Sequence, residues 1–76
     1  MHTGTVEAFD RRKKVGRILQ DADKSAVSVD IKAVDRAGIS SIHPGQKIEY
    51  ELEYDHFGRG HAIDIRLIHV RTPLGA

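Results

Sequence analysis

The sequence predicts a small all-β protein, a closed barrel of five short antiparallel strands. Apolar and polar residues alternate along most of the chain, as strands require, and no segment shows the period of a helix. Glycine, proline and aspartate interrupt this alternation at short intervals, which is typical of turns between short strands. A closed barrel is favoured over an open sheet because closure removes exposed edge strands.

Five alternating runs define the strands. They comprise residues 3–9, 15–20, 26–31, 47–54 and 61–70. The fourth run alternates most regularly, because apolar side chains occupy every second position from Ile48 to Tyr54 and charged side chains lie between them. In three other runs, the residues expected to face the core are Gly16 and Ile18 in the second, Val27, Val29 and Ile31 in the third, and Ile63, Ile65 and Leu67 in the fifth.

The connections between the strands differ in length and chemistry. Residues 11–14 join the first two strands and are all basic; they are called the basic tract below. The long connection after the third strand begins with residues 32–37, which have the composition of a single helical turn, and Gly38 ends that turn. Pro44 and Gly45 then predict a type II turn before the fourth strand.

Length and composition exclude several classes of protein. A chain of 76 residues forms one domain at most, and we expect that domain to span residues 1–70, followed by a flexible tail at residues 71–76. The absence of cysteine excludes disulfides and thiolate zinc sites. No apolar run approaches the ~20 residues of a membrane span, and residues 1–4 lack the apolar core of a signal peptide. We therefore expect a cytoplasmic protein that does not associate with membranes.

Charge is distributed unevenly along the chain, although the net charge is only +1. The basic tract consists of Arg11, Arg12, Lys13 and Lys14, and Arg17 follows it closely. A basic face on a nearly neutral protein attracts phosphate groups. The alternative is that these are solvated charges on a hairpin, which keep the protein soluble.

No arrangement of residues predicts a metal or catalytic site. The five histidines show no metal-ligand spacing supported by a carboxylate. Glu49, Glu51 and Glu53 lie two residues apart along the fourth strand, but no serine, cysteine or second base is evidently partnered with them. We expect a solvated acidic face there, in a protein that is not an enzyme and uses no cofactor.

Several segments resemble a bacterial cold-shock protein. Gly4-Thr5-Val6, with Phe9-Asp10 after it, is similar to the family's opening Gly-Thr-Val-Lys-Trp-Phe-Asn. Lys14-Val15-Gly16-Arg17-Ile18 and Val27-Ser28-Val29-Asp30 stand in the places of its two ribonucleoprotein motifs, Lys-Gly-Phe-Gly-Phe-Ile and Val-Phe-Val-His. Pro44-Gly45-Gln46-Lys47-Ile48 and His61-Ala62-Ile63-Asp64-Ile65 are similar to two later segments, Glu-Gly-Gln-x-Val and Gln-Ala-x-Asn-Val. The resemblance spans roughly residues 4–68 and implies an OB-type barrel that binds single-stranded RNA and DNA.

The departures from the family fall on the surface where its members stack bases on aromatic rings. Ala8 stands where the family has tryptophan, and Val15 and Arg17 replace two phenylalanines. Ser28 and Asp30 replace a phenylalanine and a histidine. Each stacked base contributes ~1–3 kcal/mol, so the resemblance implies a much weaker grip on the ligand than the family pattern would have.

The resemblance also assigns the expected contacts. Phosphates are expected to meet Arg11, Arg12, Lys13, Lys14 and Arg17, and bases to stack on Phe9 and on Phe57, which lies beside Arg59 in a glycine-rich loop. We therefore expect weak, salt-dependent binding of single-stranded RNA or DNA. The alternative is a barrel that has lost nucleic-acid binding and serves protein interaction or self-association. Val15 and Ile31 favour it by adding aliphatic side chains to the stacking surface, and a homodimer would support so small a core.

Overall fold

The computed structural model describes residues 1–68. Its elements are the strands β1 (His2–Asp10), β2 (Val15–Gln20) and β3 (Ala26–Asp30), the helix α1 (Ile31–Arg36), and the strands β4 (Lys47–Tyr54) and β5 (Gly60–Leu67). The predicted strand limits agree with these to within one residue, except that β5 ends at Leu67. Residues 69–70 of the predicted fifth strand lie outside the described residues. The predicted flexible tail, residues 71–76, lies outside the described residues.

The five strands form a closed barrel, as predicted, and their order around it is β1-β2-β3-β5-β4. Four of the neighbouring pairs are antiparallel. The pair β3 and β5 is parallel, with Ser28 opposite His61 and Val29 opposite Ala62. The prediction of a purely antiparallel barrel is therefore wrong in this respect. The reason is geometric: strand directions cannot alternate all the way around a closed ring with an odd number of strands.

The core lies inside the barrel and beneath α1. Its buried members are Val6, Ile18, Val27, Val29, Val34, Ile42, Ile48, Tyr50, Ala62 and Ile65. The core faces predicted for β2 and for the start of β3 are confirmed, because Gly16, Ile18, Val27 and Val29 are all buried. The predicted face of β4 holds as far as Leu52, which is half-buried against the core, and fails at Tyr54, which is exposed. Val34 on α1 and Ile42 in the following loop complete the core.

The third strand ends one residue earlier than predicted because Asp30 caps α1. Its backbone is extended, with φ −88° and ψ 150°. Its side-chain Oδ1 accepts a hydrogen bond from the Lys32 backbone N–H at 2.8 Å, which satisfies one of the free donors of the first helical turn. Ile31 therefore begins the helix and is half-buried, rather than completing the core face of β3.

A bulge in β5 moves the core face of that strand. Glu49 on β4 is opposite Arg66, but Glu51 is opposite Ile63, so β5 contains one extra residue between these pairs. Asp64 lies in this segment with a φ of 49°. An extra residue reverses the side on which the preceding side chains point. Ala62 is consequently buried in place of Ile63, and the predicted core position of Ile63 is wrong.

Candidate nucleic-acid interface

A groove of about 570 Å³ crosses the outer face of β1, β2 and β3 and continues to the loop before β5. It is lined by Ala8, Phe9, Asp10, Val15, Gly16, Arg17, Ala26, Val27, Ser28, Gly58, Arg59 and Gly60. Three of the predicted contact residues, Phe9, Arg17 and Arg59, therefore lie in one groove. The basic tract connects Asp10 to Val15 and so lies at one end of it.

Phe9 lines the groove and also packs against the core. This packing depends on Gly16, the residue directly opposite Phe9 on β2. A Cβ atom at position 16 would lie 2.6 Å from Phe9 Cδ1 and 2.8 Å from the Ala8 carbonyl oxygen. The ring thus covers the space that a side chain on β2 would fill. Phe9 presents only part of its surface to the groove, because it is half-buried.

Arg17 lines the groove, but its guanidinium is paired with a carboxylate. Its Nε lies 3.4 Å from Glu7 Oε1, and both side chains are largely exposed. The strand register places Glu7 in a bulge of β1, between the pairs Val6–Ile18 and Ala8–Arg17. Glu7 was missed from the sequence, although it stands where the similar cold-shock motif has a lysine. Its carboxylate compensates part of the charge that Arg17 would offer to a phosphate.

The basic tract is a tight turn organised by Asp10. The Asp10 Oδ1 accepts hydrogen bonds from the backbone N–H groups of Arg12, at 2.8 Å, and Lys13, at 3.2 Å. Lys14 completes the turn with a φ of 62°. Arg11 donates through Nη1 to the Ser40 carbonyl oxygen and is thereby held against the loop that follows α1. None of the four cations of the tract forms a salt bridge with another residue in the range 1–68, so this end of the groove carries a net positive charge.

The loop between β4 and β5 carries an exposed aromatic cluster at the rim of the groove. Phe57 is 69% exposed, and the Arg59 guanidinium carbon lies 5.1 Å from the centroid of its ring. The His56 ring is 4.2 Å from the Phe57 ring, centroid to centroid. Asp55 holds the loop, because its Oδ1 accepts from the backbone N–H groups of Phe57 and Arg59, each at 2.9 Å. Phe57 is therefore presented to solvent and does not fold back onto the barrel.

A chain of side-chain hydrogen bonds connects this loop to β3. Ser28 Oγ lies 2.7 Å from His61 Nδ1, and His61 Nε2 lies 2.8 Å from Asp55 Oδ2. The hydrogen bond from His61 lowers the pKa of the Asp55 carboxyl, and the backbone N–H of Arg59 lowers it further. These hydrogen bonds were not predicted from the sequence, since Ser28 and His61 are 33 residues apart. They meet because the parallel pairing places them opposite each other.

These three residue types also occur in serine hydrolases, but the connectivity differs. In a catalytic triad the serine bonds the Nε2 of the histidine and the aspartate bonds Nδ1; here the two nitrogens are exchanged. Asp30, which stands where the family has a histidine, caps α1 through its carboxylate. Among residues 1–68, no group of three histidine, cysteine or carboxylate side chains is placed to hold a metal ion. No helix in this part of the chain is long and apolar enough to cross a bilayer.

Comparison with known proteins identifies the family of the chain. The model of the "cold-shock" DNA-binding domain family matches residues 2–68. A probable cold shock protein of Sinorhizobium fredii (strain NBRC 101917 / NGR234) is 47% identical over 55 residues, which are 72% of this chain and 80% of that protein. The cold shock protein CspA of Rhizobium meliloti (strain 1021) is 40% identical over 55 residues, with the same coverage of each chain. The chain therefore belongs to the cold-shock domain family, whose members bind nucleic acid and are not enzymes.

Proposed function

We propose that the protein binds single-stranded RNA or DNA along the groove, weakly and mainly through charge. The observation that carries this proposal is the position of the basic tract. It lies at the end of an open groove, and its cations have no salt-bridge partner among residues 1–68. Phosphate contacts supply most of the affinity of proteins that bind without sequence preference. The tract can supply them without first breaking an ion pair.

The contacts differ in strength along the groove. Arg12, Lys13 and Lys14 are exposed and would contact the backbone of the strand most directly. Arg11 and Arg17 would contribute less, because one is bound to the Ser40 carbonyl and the other is paired with Glu7. Stacking would come from Phe57, assisted by Arg59, and from the accessible part of Phe9.

Binding is proposed to be weak because the floor of the groove lacks rings. Ala8, Val15 and Arg17 line it where aromatic side chains would stack bases. Ser28 lines it too, and its hydroxyl is bound to His61. At ~1–3 kcal/mol per stacked base, the loss of three or four rings removes several kcal/mol of affinity.

The first prediction concerns salt. Fluorescence anisotropy of labelled oligo-dT and oligo-U should detect binding at ~50 mM salt and a steep loss at ~200 mM. Replacing Arg12 and Lys13 by glutamate should weaken binding strongly and reduce the slope of log K against log salt by about 1.4, at about 0.7 per phosphate on a single strand. The absence of any binding at ~50 mM salt would exclude the proposed function.

A matched control separates the tract from net charge. Lys32→Glu with Arg36→Glu makes the same change in charge on α1, and neither residue lines the groove. This double variant should retain most of the affinity and the original salt slope. Equal losses from both double variants would show that the basic tract is not the phosphate-binding site.

Self-association through the groove is the second candidate function. Val15 is 41% exposed, Tyr54 64% and Phe57 69%, so each leaves apolar surface in water that a second copy could cover. Val15 lines the groove and Phe57 lies at its rim. Sedimentation equilibrium of the free protein tests this candidate. A monomer at concentrations of about 100 μM would exclude it as a stable homodimer, since such a dimer has a Kd well below that range.

A further inference from the structure

The hydrogen-bond chain from Asp55 to Ser28 has a definite direction. Asp55 Oδ1 already accepts from two backbone N–H groups, and its Oδ2 is bound to His61 Nε2. An ionised carboxylate is only an acceptor, and the lowered pKa of this carboxyl keeps it ionised at neutral pH. His61 Nε2 therefore carries a proton and donates it to Asp55.

This direction determines what the Ser28 hydroxyl can do. A neutral imidazole has one N–H, so with Nε2 protonated the Nδ1 atom of His61 is an acceptor. The Ser28 hydroxyl must donate its single proton to that atom across the 2.7 Å contact. Ser28 lines the groove, whereas His61 lines a separate, smaller pocket on the other side. The hydroxyl oxygen consequently meets a ligand in the groove with lone pairs alone.

We propose that Ser28 selects, within the groove, a base that donates a hydrogen bond from an exocyclic amino group over one that presents a carbonyl at the same position. The inference rests on the proposed function and adds a base preference to it. The two arginines that line the groove, Arg17 and Arg59, are donors only. Ser28 thus adds an acceptor next to donors that suit phosphates and carbonyl oxygens. Cytosine and uracil differ in this way, because carbon 4 carries an amino group in one and a carbonyl in the other.

The test compares two labelled heptamers, oligo-dC and oligo-dU, by fluorescence anisotropy at low salt and about pH 8. The dC-to-dU affinity ratio of the wild-type protein should exceed that of Ser28→Ala by about three- to tenfold, the value of one neutral hydrogen bond. Ser41→Ala is the matched control, since Ser41 lies in the loop before β4 and does not line the groove. It should keep the wild-type ratio.

The outcomes separate the inference from the proposed function. If Ser28→Ala keeps the wild-type dC-to-dU ratio, the inference is overturned and the proposed function stands. Failure of the wild-type protein to bind either heptamer would instead refute the proposed function.

Discussion

At the scale of single residues, Gly16 is the position where the core and the groove meet. It is buried in β2, with the Phe9 ring on one side and Val29 on another. A glycine inside a strand often marks a bulge or a close backbone approach. At position 16 the structure shows the close approach and identifies the neighbours. The absence of a side chain at position 16 allows Phe9 to belong to both the core and the groove.

Gly16→Ala should therefore destabilise the protein. The added Cβ would lie 2.6 Å from Phe9 Cδ1, 2.8 Å from the Ala8 carbonyl oxygen and 3.0 Å from Val29 Cγ1. The carbonyl belongs to the adjacent strand and cannot rotate away, so the strands must separate. We expect a loss of about 1–3 kcal/mol in the free energy of unfolding, measured by chemical denaturation.

Gly60→Ala is the comparison for this prediction. Its Cβ would meet only side-chain atoms, of Val27, Leu52 and Tyr54, at 3.2 to 3.4 Å. These can shift by a few tenths of an ångström, so the loss should stay below about 1 kcal/mol. Equal losses at the two positions would mean that the contact with the Ala8 carbonyl is unimportant.

At the scale of elements, the bulges decide which side chains reach the core. β1 and β5 each contain one residue more than the strand they pair with at a register shift. In β1 the extra residue is Glu7, which then pairs with Arg17. In β5 the bulge turns Ala62 inward and leaves Ile63 half-buried. Alternation along the sequence does not reveal a bulge, because the apolar residues on either side of it still look periodic.

Asp64→Val tests whether the backbone conformation of the bulge outweighs strand propensity in its effect on stability. Valine is the better strand former, but a β-branched residue at a φ of 49° crowds its own backbone. We expect this variant to lose about 1–2 kcal/mol of stability in denaturant unfolding. Glu51→Val, on an exposed position of β4 with an ordinary φ, should change stability by no more than about 0.5 kcal/mol. A stabilising effect of Asp64→Val would show that the bulge is readily lost.

At the scale of the whole molecule, β1 separates two charged sites: the basic tract lies at one end of the strand, and the ion pair of Asp21 with Lys47 lies at the other. The basic tract and the groove lie at its C-terminal end. At the other end, Asp21 accepts a hydrogen bond from Lys47 Nζ at 2.8 Å, which ties the turn after β2 to β4. This contact with Lys47 lowers the pKa of the Asp21 carboxyl below its ordinary value of 3.8. The pKa of Asp55, beside the groove, is lowered as well.

These pKa shifts predict that the protein loses stability in acid. A carboxyl whose pKa is lower in the folded than in the unfolded state binds fewer protons when folded. Its stabilisation is therefore complete above its ordinary value of 3.8 and is lost as the pH falls through the lower folded value. The thermal midpoint, measured by circular dichroism from about pH 7 downward, should decrease most steeply below about pH 4.

Variants of the ion pair identify the group responsible for this acid sensitivity. Asp21→Asn and Lys47→Met should each make the decrease shallower, because each removes the contact that lowers the Asp21 pKa. The double variant should behave like either single variant, as expected for two residues that act through one contact. Additive effects in the double variant would show that Asp21 and Lys47 act independently, and an unchanged decrease in both single variants would assign the sensitivity to other carboxylates.

The sequence by itself determined the number of strands, nearly all of their limits and most of the core. These depend on local alternation, which is present in single segments such as Ile48 to Leu52. It also placed Phe9, Arg17 and Arg59 at a common site through the family resemblance, and the groove brings these three together. The tertiary structure alone decided that β3 and β5 are the parallel pair, because local alternation does not show which strands are neighbours in the ring. That pairing is also the reason why Ser28 meets His61 across 33 residues of sequence.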